Sequence, residues 1–99
     1  MRTREKSYED YGLMKYELEI VKDYCKNPGP EEQYIIRHAA MSANPDIAKE
    51  IYNSLVRKQS YAKQADRGYI PMTEKDFYGY RRKAIHELYC IIALLRLGK

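Results

Sequence analysis

The chain reads as an all-α protein, a small bundle of about five helices with a C-terminal helix-turn-helix-like unit that ends in one long helix. Three features point there. Apolar residues recur at intervals of three and four, and nowhere do they alternate as a half-buried strand requires. Proline, glycine and asparagine fall between these periodic segments, where they stop one helix and start the next. The run TEKDFYGYRRKAIHELYCIIALLRL, residues 73–97, then continues with no proline to interrupt it.

Taken in order, residues 1–7 are charged and polar and are expected to be a frayed tail, with Arg2, Arg4 and Lys6 free to reach a phosphate backbone. A first helix is expected over about residues 13–26. Leu13, Tyr16, Ile20, Val21 and Tyr24 form its apolar stripe, and Glu17, Glu19, Lys22 and Asp23 face water. Asn27-Pro28-Gly29-Pro30 ends it, because two prolines and a glycine cannot propagate a helix. The second helix opens at Pro30 with Glu31 and Glu32 against the positive end of the dipole, and turns Ile35, Ala39 and His38 inward. Asn44-Pro45-Asp46 has the chemistry of a helix start, with Asn as cap. The third helix follows with Ile47, Ile51, Tyr52 and Leu55 on one face, and ends near Arg57-Lys58-Gln59. Ser60 caps a short fourth helix, closed by Gly68, and the loop GYIPM leads into the fifth.

In that last helix Thr73 and Asp76 have capping-box spacing, and Gly98 supplies the stop. Phe77, Tyr80, Ala84, Leu88, Ile91 and Leu95 fall on one stripe, with Lys75, Gly79, Arg82 and His86 roughly opposite. Its front half is therefore amphipathic with a basic outer face. The back half, Tyr89, Cys90, Ile91, Ile92, Ala93, Leu94, Leu95 and Leu97, has almost no polar side and is too short to span a bilayer. It is either the centre of the bundle or half of a homodimer interface.

Ninety-nine residues make one domain, 1–99, with a single modest core. Eleven Tyr against one Phe and no Trp suit half-buried margins, since tyrosine joins apolar area to a polar tip. The net charge of +4 is uneven. Residues 1–50 hold eight Lys/Arg and ten Asp/Glu, net −2, whereas residues 51–99 hold ten and four, net +6. A basic half of this kind fits a polyanionic partner, double-stranded DNA above all. Cys25 and Cys90 lie far apart without metal-ligand spacing, so neither metal nor cofactor is expected. The N-terminus has no apolar signal region, and a cytoplasmic, non-membrane protein with reduced thiols is the expectation. No glycine-rich phosphate loop, nucleophile elbow or zinc-protease motif is present, and adjacent Glu31 and Glu32 diverge on a helix, so an enzyme is not expected.

The helix, turn and helix of residues 60–97 carry the functional expectation. In such a unit the second helix enters the major groove and its first turns reach base edges. The residues expected to contact nucleic acid are Lys75, Tyr78, Arg82, Lys83 and His86, with Gly79 allowing close backbone approach. Arg81 falls near the core margin, where it can pair with Asp76 or Asp66.

The stretch SYAKQADRGYIPMTEKDFYGYRRKAIHELY resembles the closing segment of phage late-transcription regulators of the ArpU type, which are similar in turn to the promoter-reading region 4 of sigma factors. Phe77, Tyr78, Tyr80, Arg81, Arg82, Lys83 and Ala84 carry the resemblance, which covers about residues 58–90. Two departures are the longer turn and Gly79 at a basic position. The resemblance implies a phage or prophage transcription regulator with Lys75, Tyr78, Arg82 and Lys83 on its recognition helix. Two other classes fit the same composition. One is a protein-interaction module, such as a phage-encoded inhibitor of a host or defence protein with tyrosines as anchors; the other is a virion component.

Overall fold

The computed structural model describes Tyr8 and residues 12–97, and holds five α-helices, a 3-10 turn and no strand among them. The helices are α1 (Lys15–Tyr24), α2 (Pro30–Ala43), α3 (Ala48–Val56), α4 (Tyr61–Ala65) and α5 (Glu74–Leu97), and the 3-10 turn Pro45–Ile47 leads into α3. The expected basic tail and the Gly98 stop lie outside the described residues. The molecule measures 42 × 32 × 20 Å. Its short dimension is two helix diameters, so no helix has a complete second shell around it. Helix α5 packs against every other helix, most extensively against α2.

The starts and stops reflect the local chemistry of the sequence. Asn44 Oδ1 accepts from the Asp46 N–H at 2.9 Å, Ser60 Oγ from the Lys63 N–H at 3.1 Å, and Thr73 Oγ1 from the Asp76 N–H at 3.3 Å. Each bond satisfies a backbone donor that the first turn of a helix leaves unpaired. The end of α3 uses a different device. Lys58 sits in the left-handed region at φ 58°, and the Gln59 N–H folds back onto the Asn53 carbonyl at 3.2 Å.

The core consists of Leu13, Val21 of α1 and Cys25 just beyond it, Ile36, Ala39, Ala40 and Ala43 from α2, Ile47, and Ile51, Tyr52 and Leu55 from α3, closed by Ile70 and by Phe77, Ala84, Ile85, Leu88 and Ile92 of α5. The three alanines of α2 allow α3 and α5 to approach on adjoining sides. That arrangement makes Ile36 the buried position, leaving Ile35 at the margin and His38 exposed, whereas periodicity alone points Ile35 and His38 inward.

Helix α1 departs more from expectation. Tyr16 is 63% exposed, whereas Glu17 is buried. The reason is local. Glu17 is the third residue of the helix, and its carboxylate turns back to accept from the Met14 N–H at 2.8 Å. That bond, joined by one from the Tyr89 hydroxyl, holds the Glu17 carboxyl below its ordinary pKa. The stripe that docks on α5 is thus Leu13, Glu17, Val21 and Cys25, and burial pushes the Cys25 thiol up to about 11. Glu19 and Lys22 face water as expected and pair at 3.7 Å.

The buried stripe of α5 runs Phe77, Ala84, Ile85, Leu88 and Ile92, rotated slightly from the one read in the sequence. Tyr80 and Ile91 fall at its margins and Leu95 is 45% exposed. The final turns are not the centre of the bundle: Leu94 is 70% and Leu97 83% exposed. No helix among the described residues is long and apolar enough to cross a membrane.

Candidate nucleic-acid interface

The α4–α5 unit is assembled around two side chains of α4. Gln64 is buried, and its amide nitrogen donates to the Glu50 carbonyl at 3.0 Å and the Gln59 carbonyl at 3.2 Å, which clamps α4 to α3. Tyr61 ties α4 to the connector and to α5. Its hydroxyl donates to the Met72 carbonyl at 2.7 Å, and its N–H donates to the Tyr78 hydroxyl at 3.2 Å. Its ring tilts against Phe77 at 5.6 Å, and Phe77 meets Tyr78 edge-on at 5.3 Å. With Ile70 inserted into the core, the connector is pinned at both ends and in the middle.

That connector is residues 66–73, longer than the five-residue turn expected at residues 68–72. Helix α4 ends at Ala65 in a turn in which the Arg67 and Gly68 N–H groups both donate to the Gln64 carbonyl, at 3.1 and 3.2 Å. A compact helix-turn-helix has a turn of three or four residues. The two helices here stand further apart along the chain.

The five residues singled out on α5 are not equivalent. Lys75, in the first turn, is exposed. Tyr78 is half-buried and takes part in the joint between α4 and α5. Arg82, Lys83 and His86 are half-buried; Arg82 and His86 already interact within the chain, and His86 Nε2 lies 3.7 Å from Cys90 Sγ. Gly79 is buried, contrary to its expected place on the outer face, because the first half of α5 is packed by several elements at once. The backbone there is closed to a duplex. Arg81 belongs to the inward side, where Nε donates to Ser54 Oγ at 2.8 Å and Nη1 to the Tyr8 hydroxyl at 3.4 Å.

The exposed cations cluster one element earlier. Lys49, Arg57, Lys58, Lys63 and Arg67 all face solvent around α3 and α4. Between them lies a shallow depression of about 330 Å³, lined by Lys49, Asn53, Arg57, Gln59, Arg67 and Tyr69 among others, with half-buried Glu50 as its carboxylate. Arg67 Nη1 donates to Gln59 Oε1 at 3.4 Å, which fixes its direction. A second depression adjoins it across Lys49, Asn53 and Arg57; there Arg37 lies over the Tyr52 ring, 4.8 Å from the centroid. A third, along the connector, shares Gly68, Tyr69 and Ile70 with the first and reaches Thr73. Reading the helices one at a time misses this surface. The available signal is the spacing of cations through RKQSYAKQADR, which no single helix face contains.

The surface built from α3, α4 and the start of α5 is thus basic and open, and suited to anions. Among the described residues, no group of three His, Cys, Asp or Glu comes together to hold a metal ion. No protein-family model, curated protein sequence or solved structure matches this chain.

Proposed function

We propose that the chain is a non-catalytic, duplex-DNA-binding protein of phage or prophage type that regulates transcription. One observation carries this reading: residues 57–83 hold eight Lys/Arg against three Asp/Glu, net +5, and Arg57, Lys58, Lys63, Arg67 and Lys75 are all exposed. The resemblance of residues 58–90 to ArpU-type regulators supports it. Phosphate contacts supply most of the affinity, since neutralising the backbone releases condensed counterions whatever the sequence. Direct readout falls mainly to Lys75, because Tyr78 is committed to packing and Arg82, Lys83 and His86 are half-buried. The protein should therefore bind with strong salt dependence and modest sequence preference.

The test is fluorescence anisotropy with random duplex DNA at about 50 and 200 mM salt. Each neutralised phosphate contributes a factor of about 3.5 over that interval, so five contacts give a loss of about 500-fold. Absence of binding at the lower salt refutes the reading.

The exposed Leu94, Leu95 and Leu97 favour a second reading, in which this end of α5 anchors a protein. The partner is a host protein bound by an inhibitor, or a second copy joined about a two-fold axis through residues 89–97. A tight, salt-insensitive protein complex without DNA affinity selects that reading.

A further inference from the structure

We propose that the depression between α3 and the end of α4, and not the outer face of α5, is where the phosphodiester backbone of the duplex is held. This deepens the DNA-binding reading and rests on it. Lys49, Arg57 and Arg67 line the depression, with the Asn53 amide beside them and Tyr69 at its rim, 88% exposed. Two guanidinium groups suit this task, because their planar forks match two oxygens of one phosphate, while Lys49 serves as a compact charge. The tyrosine hydroxyl and the Asn53 amide are further phosphate donors of ordinary kind.

The site is also preorganised. Gln64 holds α4 to α3 through the Glu50 carbonyl and to the segment after α3 through the Gln59 carbonyl, so Lys49, Arg57 and Arg67 are brought together without a ligand. Arg67 is further aimed by Gln59. Less backbone rearrangement is then needed on binding. Half-buried Glu50 opposes an anion in the same depression, but three cations outnumber it.

Position gives the proposal its direction. The depression shares Gly68, Tyr69 and Ile70 with the one along the connector, whose lining reaches Thr73, two residues before Lys75. A strand held at Arg57 and Arg67 lies beside the connector that leads to Lys75, the exposed candidate on α5.

The experiment compares three proteins on random duplex DNA across about 50–200 mM salt. They are the unaltered chain, the triple variant Lys49→Ala/Arg57→Ala/Arg67→Ala, and the charge-matched control Lys15→Ala/Lys22→Ala/Arg96→Ala, whose residues lie on α1 and the far end of α5. All are checked for unaltered helical circular dichroism. The double variant Lys49→Ala/Arg67→Ala replaces the triple if that one fails to fold. Loss of three phosphate contacts lowers the slope of log affinity against log salt by about 2.7, or about 40-fold in the ratio between the two salts, and loss of two lowers it by about 1.8. The control keeps its slope. If the unaltered chain binds and the groove variant keeps the full slope, the groove is wrong while DNA binding stands. Equal losses in variant and control also overturn it, since net charge then accounts for the effect. If the unaltered chain binds no DNA at the lower salt, the DNA-binding reading fails and the groove assignment fails with it.

Discussion

Phe77→Ala tests whether one ring joins the α4–connector unit to the body of the protein. Phe77 is fully buried, and its ring meets Tyr61 of α4 at 5.6 Å and Tyr78 at 5.3 Å. Truncation removes the transfer free energy of the ring and leaves a cavity that the pinned connector cannot collapse, so the cost belongs at about 3–5 kcal/mol. A domain of this size has roughly 5–15 kcal/mol in total. Urea denaturation followed by circular dichroism is the assay. With a slope of roughly 1.5 kcal/mol/M, the midpoint should fall by about 2–3 M while the slope stays unchanged. A double-mutant cycle between Phe77→Leu and Tyr61→Leu isolates the aromatic pair, and a coupling of about 0.5–1.5 kcal/mol is expected. A cost below about 1 kcal/mol for Phe77→Ala, or no coupling to Tyr61, refutes the idea that α4 is docked through this ring.

Gln64→Leu preserves size but removes both donations to the Glu50 and Gln59 carbonyls, so it should destabilise by about 2 kcal/mol and raise amide exchange in α4 before elsewhere. A thiol reagent such as a disulfide dye should label exposed Cys90 promptly and Cys25 only after unfolding, since Cys25 is buried with its pKa at about 11; similar rates at both would contradict this packing. The Glu17–Tyr89 contact has a defined pH signature. The Glu17 carboxyl is held below its ordinary 4.5 by the Met14 N–H and the Tyr89 hydroxyl, so its contribution is present above that value and is lost as pH falls through the lower folded one. The Tyr89 hydroxyl, donating to Glu17, is raised above its ordinary 10.0, so its share persists below that value and is lost as pH rises through the folded one. Melting temperatures of the unaltered chain and Tyr89→Phe should therefore differ near neutral pH and converge in acid, and a gap independent of pH would dismiss the contact.

Much of this fold is legible locally because its helix boundaries are set by short-range chemistry. Asn44, Ser60 and Thr73 each satisfy a backbone N–H two or three residues on, so their effect is written within one turn of chain. The faces of α3 and most of α5 are also readable, since Ile47, Ile51, Tyr52 and Leu55, and Phe77, Ala84 and Leu88, are apolar at helical spacing. That spacing does not decide between competing faces when apolar residues surround a helix. Tyr16 and Glu17 exchange places because the Met14 N–H three positions back, and then a hydroxyl from α5, 72 positions away, supply partners for the carboxylate. Ile36 displaces Ile35 because α2 is packed from two directions at once.

The candidate site divides along the same line. The sequence alone settles that the C-terminal half is basic and helical, since charge and periodicity are sums over neighbours. The orientation of the cations depends on contacts the chain makes at a distance. Gly79 is closed off and Tyr78 spent on Tyr61 through packing of α5 against several helices. Lys49, Arg57 and Arg67 share one depression because Gln64 bonds backward across α3, which brings residues 18 positions apart onto one surface. Helical periodicity extends only a few turns, and that surface is made by the joint between helices.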